Sequence, residues 1–125
     1  MTKIFLAIAG LLGALSVASG AFATHALKNS LTLKALEIWE TATKYQMYHV
    51  LALILVALLL TRNEISSSFL NLAGWAFISG IALFSGSLYA LSLSNVKWLG
   101  AITPLGGLAF IIGWICIAIA AWGIK

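Results

Sequence analysis

The sequence predicts an all-α integral membrane protein, a four-helix bundle with an amphipathic interfacial helix between its first and second spans. Hydrophobic residues make up 62% of the 125 residues and charged residues only 8%, and long uncharged stretches recur along the chain. A water-soluble domain carries about 25% charged residues, so lipid must surround most of this surface. A chain of this length forms one domain.

The first predicted span covers residues 4–23, which carry no charge. A helix of this length extends about 30 Å, which matches the hydrocarbon thickness of a bilayer. An A-x-A motif at residues 21–23, after Lys3, also fits a secretory signal with its cleavage site. However, small residues such as Ser16 and Gly20 stand four apart, and this spacing favours close helix packing. We therefore expect the segment to be a retained span.

Residues 27–44 differ from the first span because charged residues alternate with apolar ones. Leu31, Ala35, Ile38 and Ala42 recur at helical spacing. No proline or glycine separates this segment from the stretch that follows. We expect an amphipathic helix at the membrane interface, which can run straight into the second span.

Three further spans are predicted, at residues 45–61, 69–93 and 103–123. Thr103 offers an N-cap for the last one, and Pro104 follows at the first helical position, where its missing N–H costs nothing. The alternative is a kinked helix that begins near Trp98. Four spans with short loops place both termini on one side of the membrane.

The seven basic residues are scattered singly along the chain. Such a distribution is typical of anchors at membrane ends and does not provide the basic patch that binds nucleic acid. Three of them lie on the side of the termini and four on the opposite side. This balance leaves the orientation in the membrane undecided.

Polar residues cluster where the first span ends and the second begins. His25 closes the first span, and Tyr45, Gln46, Tyr48 and His49 follow in the first turns of the second. Antiparallel neighbours bring these ends to the same membrane face, so both histidines could share an interfacial pocket. We take these five residues as a candidate ligand-binding site. A ligand or lipid headgroup, mutual structural support, and catalysis or metal binding are the open alternatives.

Other chemistry receives little support from the sequence. Glu37 and Glu40 are the only carboxylates near the histidines, and no motif has a known metal spacing. Ser85 and Ser87 have no base nearby in the sequence, so helix packing explains them better than nucleophilic catalysis. Cys116 lies in an apolar run and is expected to be a core residue. We expect no metal, no cofactor and no enzymatic activity.

Four motifs resemble those of the YgdD/YwdK-like family of small membrane proteins, and together they cover nearly the whole chain. They are Gly-Ala-Phe-x-x-His-Ala-Leu at residues 20–27, Thr-Ala-x-x-Tyr-Gln-Met-Tyr-His at 41–49, Leu-Phe-Ser-Gly-Ser-Leu-Tyr at 83–89 and Thr-Pro-Leu-Gly-Gly at 103–107. Ala23 and Thr24 depart from the commonest pattern, which has glycine and alanine there. The resemblance implies a multi-pass protein of the bacterial inner membrane with four helices and no known function.

Three functional classes fit these observations. We favour an accessory or structural protein that binds membrane lipid or a membrane-protein partner through an interfacial polar pocket, and a homo-oligomer is compatible with this class. The alternative is an oligomeric transporter of small molecules or ions, of the kind formed by small dual-topology exporters. Those exporters use a carboxylate inside the membrane, whereas Glu37, Glu40 and Glu64 lie outside the spans. An intramembrane enzyme would have only His25 and His49 for acid–base chemistry.

Overall fold

The computed structural model describes residues 1–124, which form helices and short helical turns and no β-strand. Five α-helices follow one another: α1 (Thr2–His25), α2 (Leu33–Leu59), α3 (Ser67–Gly80), α4 (Gly86–Ser94) and α5 (Thr103–Trp122). A 3₁₀ turn follows α1, a π-helical turn joins α3 to α4, and a second 3₁₀ turn precedes α5, at Leu27–Asn29, Ile81–Ser85 and Lys97–Ala101 respectively.

Four helical stretches are long and apolar enough to cross a membrane: Thr2–His25, Leu33–Leu59, Ser67–Ser94 and Lys97–Trp122. The prediction of an all-α protein with four such helices is therefore confirmed. The third stretch combines α3, the π-helical turn and α4, and the fourth combines the second 3₁₀ turn with α5.

The segment predicted as an interfacial helix does not form a helix of its own. Residues 33–44 are the first three turns of α2, which continues without a break to Leu59. Thr32 caps this helix, because its hydroxyl oxygen accepts a hydrogen bond from the N–H of Ala35 (3.1 Å). The placement of these turns at the membrane interface stays a prediction.

The start of α5 differs in one detail from the sequence prediction. Pro104 lies in the first turn as expected, but Thr103 is already helical and does not cap the helix with its side chain. Its hydroxyl lies instead 2.6 Å from that of Ser87 on α4. The turn Lys97–Ala101 lies where the alternative start near Trp98 was considered.

The bundle is built around α2 and the third span. Helix α1 packs on α2, α5 packs mainly on α3, and α4 packs on α2. The glycines allow close contact between helices, as the small-residue spacing indicates. Three of them each accommodate a phenylalanine ring where a Cβ atom would overlap it, in the pairs Phe5 with Gly74, Phe110 with Gly80 and Phe77 with Gly113. Cys116 is buried in this core, as predicted.

Candidate functional site

The packing of α1 on α2 gives the depth of the polar residues in the bundle. A Cβ atom on Gly13, near the middle of α1, would lie 3.3 Å from Val50 Cγ1. His49, the neighbour of Val50, therefore lies level with the middle of α1, near the middle of the bundle. His25 lies twelve residues beyond Gly13, which corresponds to about 18 Å along the helix. The structure thus does not bring the two histidines into one pocket, and His25 is exposed at the end of α1.

Buried polar side chains of α2 bond to both α1 and α4. Gln46 Nε2 donates to the carbonyl oxygen of Leu12 (2.8 Å), and Gln46 Oε1 accepts from the hydroxyl of Tyr89 (2.6 Å). The hydroxyl of Thr43 lies 3.2 Å from the same Tyr89 oxygen. Ser16 donates to the carbonyl oxygen of Thr43 (3.1 Å). The Gln46 amide therefore joins three helices at a depth where water is scarce.

The serines of α4 and of the turn before it bond to backbone carbonyls. Ser85 donates to the carbonyl oxygen of Ala42 on α2 (2.7 Å), and Ser87 donates to that of Phe84 (3.0 Å). Both hydroxyls support helix packing, which agrees with the preferred interpretation of the sequence.

The imidazole of His49 has a hydrogen-bond partner on each nitrogen. Nδ1 lies 2.7 Å from the carbonyl oxygen of Tyr45, and Nε2 lies 3.1 Å from Nε1 of Trp114 on α5. A carbonyl oxygen can only accept and an indole N–H can only donate. Nδ1 therefore carries the proton, Nε2 accepts, and the ring is neutral. The ring also stacks on Phe110, with centroids 3.5 Å apart and planes at 6°.

This assignment predicts a nuclear magnetic resonance signature. In protein labelled with ¹⁵N-histidine, the His49 ring should show a protonated Nδ1 and an unprotonated, hydrogen-bonded Nε2. In Trp114→Phe the Nε2 signal should move, because its donor is gone, while Nδ1 stays protonated. His25, which is exposed, supplies the reference signal. A His49 ring protonated at Nε2 would contradict the assignment.

Tyr45 and His49 line an open groove of about 610 Å³ between α2 and α5. Tyr45 packs against Phe84, with ring centroids 4.6 Å apart. We call this surface the midplane groove, formed mainly by Tyr45, His49, Phe84, Gly107, Phe110 and Trp114. Of the predicted site residues, the structure therefore brings only these two into one open groove. Gln46 faces α1 and α4, and Tyr48 is 55% exposed on the outside of the bundle.

A second cavity, of about 550 Å³, opens at the end of the bundle where α2 begins and α4 ends. We call it the basic cleft, and its polar lining consists of Ser30, Thr32, Lys34, Ser92, Asn95 and Lys97. The one ion pair within residues 1–124 joins Arg62 to Glu64 (3.8 Å) at the other end. Lys34 and Lys97 thus bring two positive charges to the cleft without a direct ion pair, and Glu37 lies one turn from Lys34 on α2.

Two helix ends border the basic cleft, the N-terminal end of α2 with a positive partial charge and the C-terminal end of α4 with a negative one. The side chain of Thr32 caps the N–H of Ala35, so the N–H groups of Leu33 and Lys34 stay open at the first turn of α2. The N-terminal end of a long helix favours anions. Asn95 adopts a left-handed conformation (φ 57°), which ends α4 shortly before Lys97. The positive charge of the cleft therefore comes mainly from the Lys34 and Lys97 side chains.

Two features of the sequence point to the hydrogen bonds of Gln46 and to the basic cleft. Trp39, Thr43 and Gln46 stand three or four apart, which places a polar stripe on one face of α2. Lys34 and Lys97 are two of the four basic residues on the side opposite the termini, where the sequence predicts only membrane anchors. Within residues 1–124, no group of three or more His, Cys, Asp or Glu side chains is close enough to hold a metal ion.

Comparisons with known proteins identify the family. Residues 19–107 match the family described as "Protein of unknown function (DUF423)". A UPF0382 membrane protein of Staphylococcus epidermidis is 47% identical over 118 residues, which are 94% of each chain. The UPF0382 membrane protein YwdK of Bacillus subtilis is 46% identical over 119 residues, which are 95% of this chain and 96% of YwdK. No solved structure matches.

The resemblance of the four motifs to the YwdK-like family is thereby confirmed, and with it the location in a membrane. The match to the family model covers the end of α1, all of α2 to α4 and the start of α5, and therefore includes the whole basic cleft. The chain belongs to the DUF423 family of membrane proteins, whose function is unknown.

Proposed function

We propose that this protein is an accessory membrane protein that binds an anionic phospholipid, with the lipid phosphate in the basic cleft. The observation that carries the proposal is the convergence of Lys34, Lys97 and the open N-terminus of α2 on one cavity. The proposal keeps the lipid-binding class expected from the sequence but moves the headgroup away from the two histidines.

The depth of the basic cleft supports a lipid ligand over a dissolved anion. Lys34 lies fifteen residues before His49 on α2, or about 22 Å along the axis. Half of a bilayer with its headgroup regions measures about 20–22 Å. If His49 lies near the centre of the bilayer, these lengths would bring the ammonium of Lys34 to the height of the lipid phosphates, which supports a lipid ligand. Leu31, Ile38 and Leu91 line the same cavity and provide apolar contacts beside the charges.

The transporter alternative lacks a comparable observation. His49 is a titratable side chain within the second span, and both of its ring nitrogens already have partners within the protein. Glu37 and Glu40, expected outside the spans, belong to the first three turns of the spanning stretch Leu33–Leu59, and Glu64 lies in the polar connection between α2 and α3.

The test is retention of lipid by protein extracted from nanodiscs that contain equal amounts of phosphatidylglycerol and phosphatidylcholine. Native mass spectrometry should show phosphatidylglycerol enriched on the wild-type protein. Each basic residue near a membrane surface contributes about 1 kcal/mol to the attraction of anionic lipid, so Lys34→Gln/Lys97→Gln should reduce the enrichment about thirtyfold.

The matched control is Lys28→Gln/Lys44→Gln, which removes the same charge from the same half of the bundle outside the basic cleft. This control should retain most of the enrichment. An equal loss in both double variants would mean that the lipid responds to overall charge, and the cleft would lose its proposed role.

A further inference from the structure

The basic cleft has a donor wall and an acceptor wall. The donor wall is the start of α2, where the ammonium of Lys34 and the open N–H groups of the first turn can bond to a phosphate. The acceptor wall is the end of α4, where Ser92, Leu93 and Asn95 line the same cavity. A ligand that fits both walls carries an anion at one end and a hydrogen-bond donor at the other.

The way in which α4 ends makes the second wall rich in acceptors. Asn95 adopts the left-handed conformation, and its N–H donates to the carbonyl oxygen of Leu91 (2.8 Å). Because α4 ends there, the carbonyl oxygens of Ser92 and Leu93 have no partner within the helix. Both residues line the cleft, so these oxygens are placed to accept from a ligand.

Side chains add further acceptors to this wall. Ser92 lines the cleft but is only 5% exposed, and its hydroxyl donates to the carbonyl oxygen of Tyr89 (2.9 Å). Its oxygen can therefore offer only lone pairs to a ligand. The hydroxyl of Ser30 is in the same state, because it donates to the carbonyl oxygen of Ala26 (3.3 Å). The side-chain amide of Asn95 offers both a donor and an acceptor.

Charge decides which kind of donor the ligand can carry. An ammonium group, such as that of phosphatidylethanolamine, would lie beside Lys97, which follows Asn95 by two residues and lines the same cleft. Like charges 4 Å apart weaken binding at least about fivefold even in water. The partial negative charge at the end of α4 offsets typically no more than about fivefold. Among residues 1–124, those that line the cleft include no carboxylate. A neutral hydroxyl avoids this repulsion.

We infer that the basic cleft selects a lipid whose phosphate is esterified to a hydroxylated group, as in phosphatidylglycerol, and that these hydroxyls donate to the end of α4. This inference rests on the proposed function, because it takes the phosphate to lie at the start of α2. Ser92 and Asn95 then determine the specificity for the headgroup, whereas Lys34 and Lys97 attract any anionic headgroup.

The test is a competition between two lipids of equal charge. Nanodiscs contain equal amounts of phosphatidylglycerol and of phosphatidylpropanol with the same acyl chains, which lacks the hydroxyls of glycerol. Native mass spectrometry of the extracted wild-type protein should show phosphatidylglycerol enriched about fivefold over phosphatidylpropanol, the effect of one or two hydrogen bonds. Equal retention of the two lipids by wild type would overturn the inference and leave the phosphate proposal standing.

The test variant is Ser92→Ala/Asn95→Gly, which removes both acceptor side chains, while glycine keeps the left-handed end of α4. The preference for phosphatidylglycerol should fall about threefold, and phosphatidylpropanol should be retained as by wild type. The matched control, Ser94→Ala/Asn63→Gly, makes the same two kinds of change outside the cleft and should keep the full preference. An equal loss in both double variants would contradict the assignment of the hydroxyls to this cleft.

The lysine variant separates this inference from the proposed function. Lys34→Gln/Lys97→Gln should weaken the retention of both lipids alike and leave their ratio unchanged. If this variant retains both lipids as wild type does, the proposed function fails, whatever the ratio.

Two other headgroup compounds complete the test. Phosphatidylethanolamine in place of phosphatidylpropanol should be retained less than phosphatidylglycerol, and its enrichment would overturn the inference in favour of an ammonium donor. Water-soluble glycerophosphoglycerol, added in an amount equal to that of phosphatidylglycerol, should leave the bound lipid in place. Displacement of the lipid would show instead that the cleft binds the dissolved phosphodiester.

Discussion

Replacing Gly106 with alanine is expected to destabilise the bundle more than any other change of a single methyl group. Gly106 in α5 faces the backbone of Phe84 in the π-helical turn, and a Cβ atom would overlap its backbone nitrogen and Cα. A backbone cannot rotate away as a side chain can, so α5 must move outward. Overpacking costs about 1–3 kcal/mol and occasionally more, and we expect about 3 kcal/mol here. The loss of unfolding free energy can be measured by unfolding the purified protein in mixed micelles and following the transition by circular dichroism.

Gly107→Ala tests the same chemical change one residue along the helix. A Cβ atom on Gly107 has only an ordinary contact at 3.9 Å. Alanine is favoured over glycine in a helix by about 1 kcal/mol, so this variant should be neutral or slightly more stable than wild type. Equal stability of the two variants would show that α5 does not pack on Phe84 as described.

Replacing Gln46 with alanine should have the second-largest effect. The change removes the donor to the Leu12 carbonyl and the acceptor for the Tyr89 hydroxyl. The hydrogen bonds from Gln46 on α2 to α1 and to α4 are therefore lost. Interhelical hydrogen bonds in membranes contribute about 0.6 kcal/mol on average and up to about 1.7 kcal/mol. With two bonds lost and a cavity left, we expect a loss of about 2 kcal/mol in the same unfolding measurement.

A double-mutant cycle with Tyr89→Phe isolates the bond between the two side chains. Because the pair is in contact, the two effects should fall short of additivity by at least about 0.5 kcal/mol. Tyr48→Phe serves as the control, since this tyrosine lies on the same helix and is 55% exposed. That control should change stability by less than about 0.5 kcal/mol. Strict additivity of Gln46→Ala and Tyr89→Phe would argue against the buried network.

The fold was largely predictable because hydrophobicity over twenty residues is a strong and local signal. Uncharged stretches such as residues 4–23 have few alternatives to a spanning helix. The exact end of an element depends on single hydrogen bonds, which is why Thr103 was assigned as a cap and is instead bonded to Ser87. The π-helical turn at Ile81–Ser85 had no sequence signal, because it depends on packing against two neighbours.

The candidate site was less predictable because the spacing of residues in the sequence does not give their positions along the axis of the bundle. His25 and His49 lie at facing ends of neighbouring predicted spans, so the polar stretch between them appeared to belong to one surface. In the structure α2 begins at Leu33 and contributes four helical turns before it reaches His49. This early start carries His49 toward the bundle centre and leaves His25 near the surface. The pairing of Lys34 with Lys97 depends on the contact between α2 and α4, which pattern analysis of one sequence does not provide.

The π-helical turn changes which side chains of the third span face each neighbouring helix. A π turn holds one residue more than an α turn, which offsets the angular phase of everything after it by about 100°. Before the offset, Gly80 receives the ring of Phe110 from α5, and after it Tyr89 bonds to Gln46 on α2. The third span thereby presents Gly80 to α5 before the turn and the Tyr89 hydroxyl to α2 after it. The extra residue thus separates a segment that packs on α5 through a glycine from a segment that forms a hydrogen bond to α2.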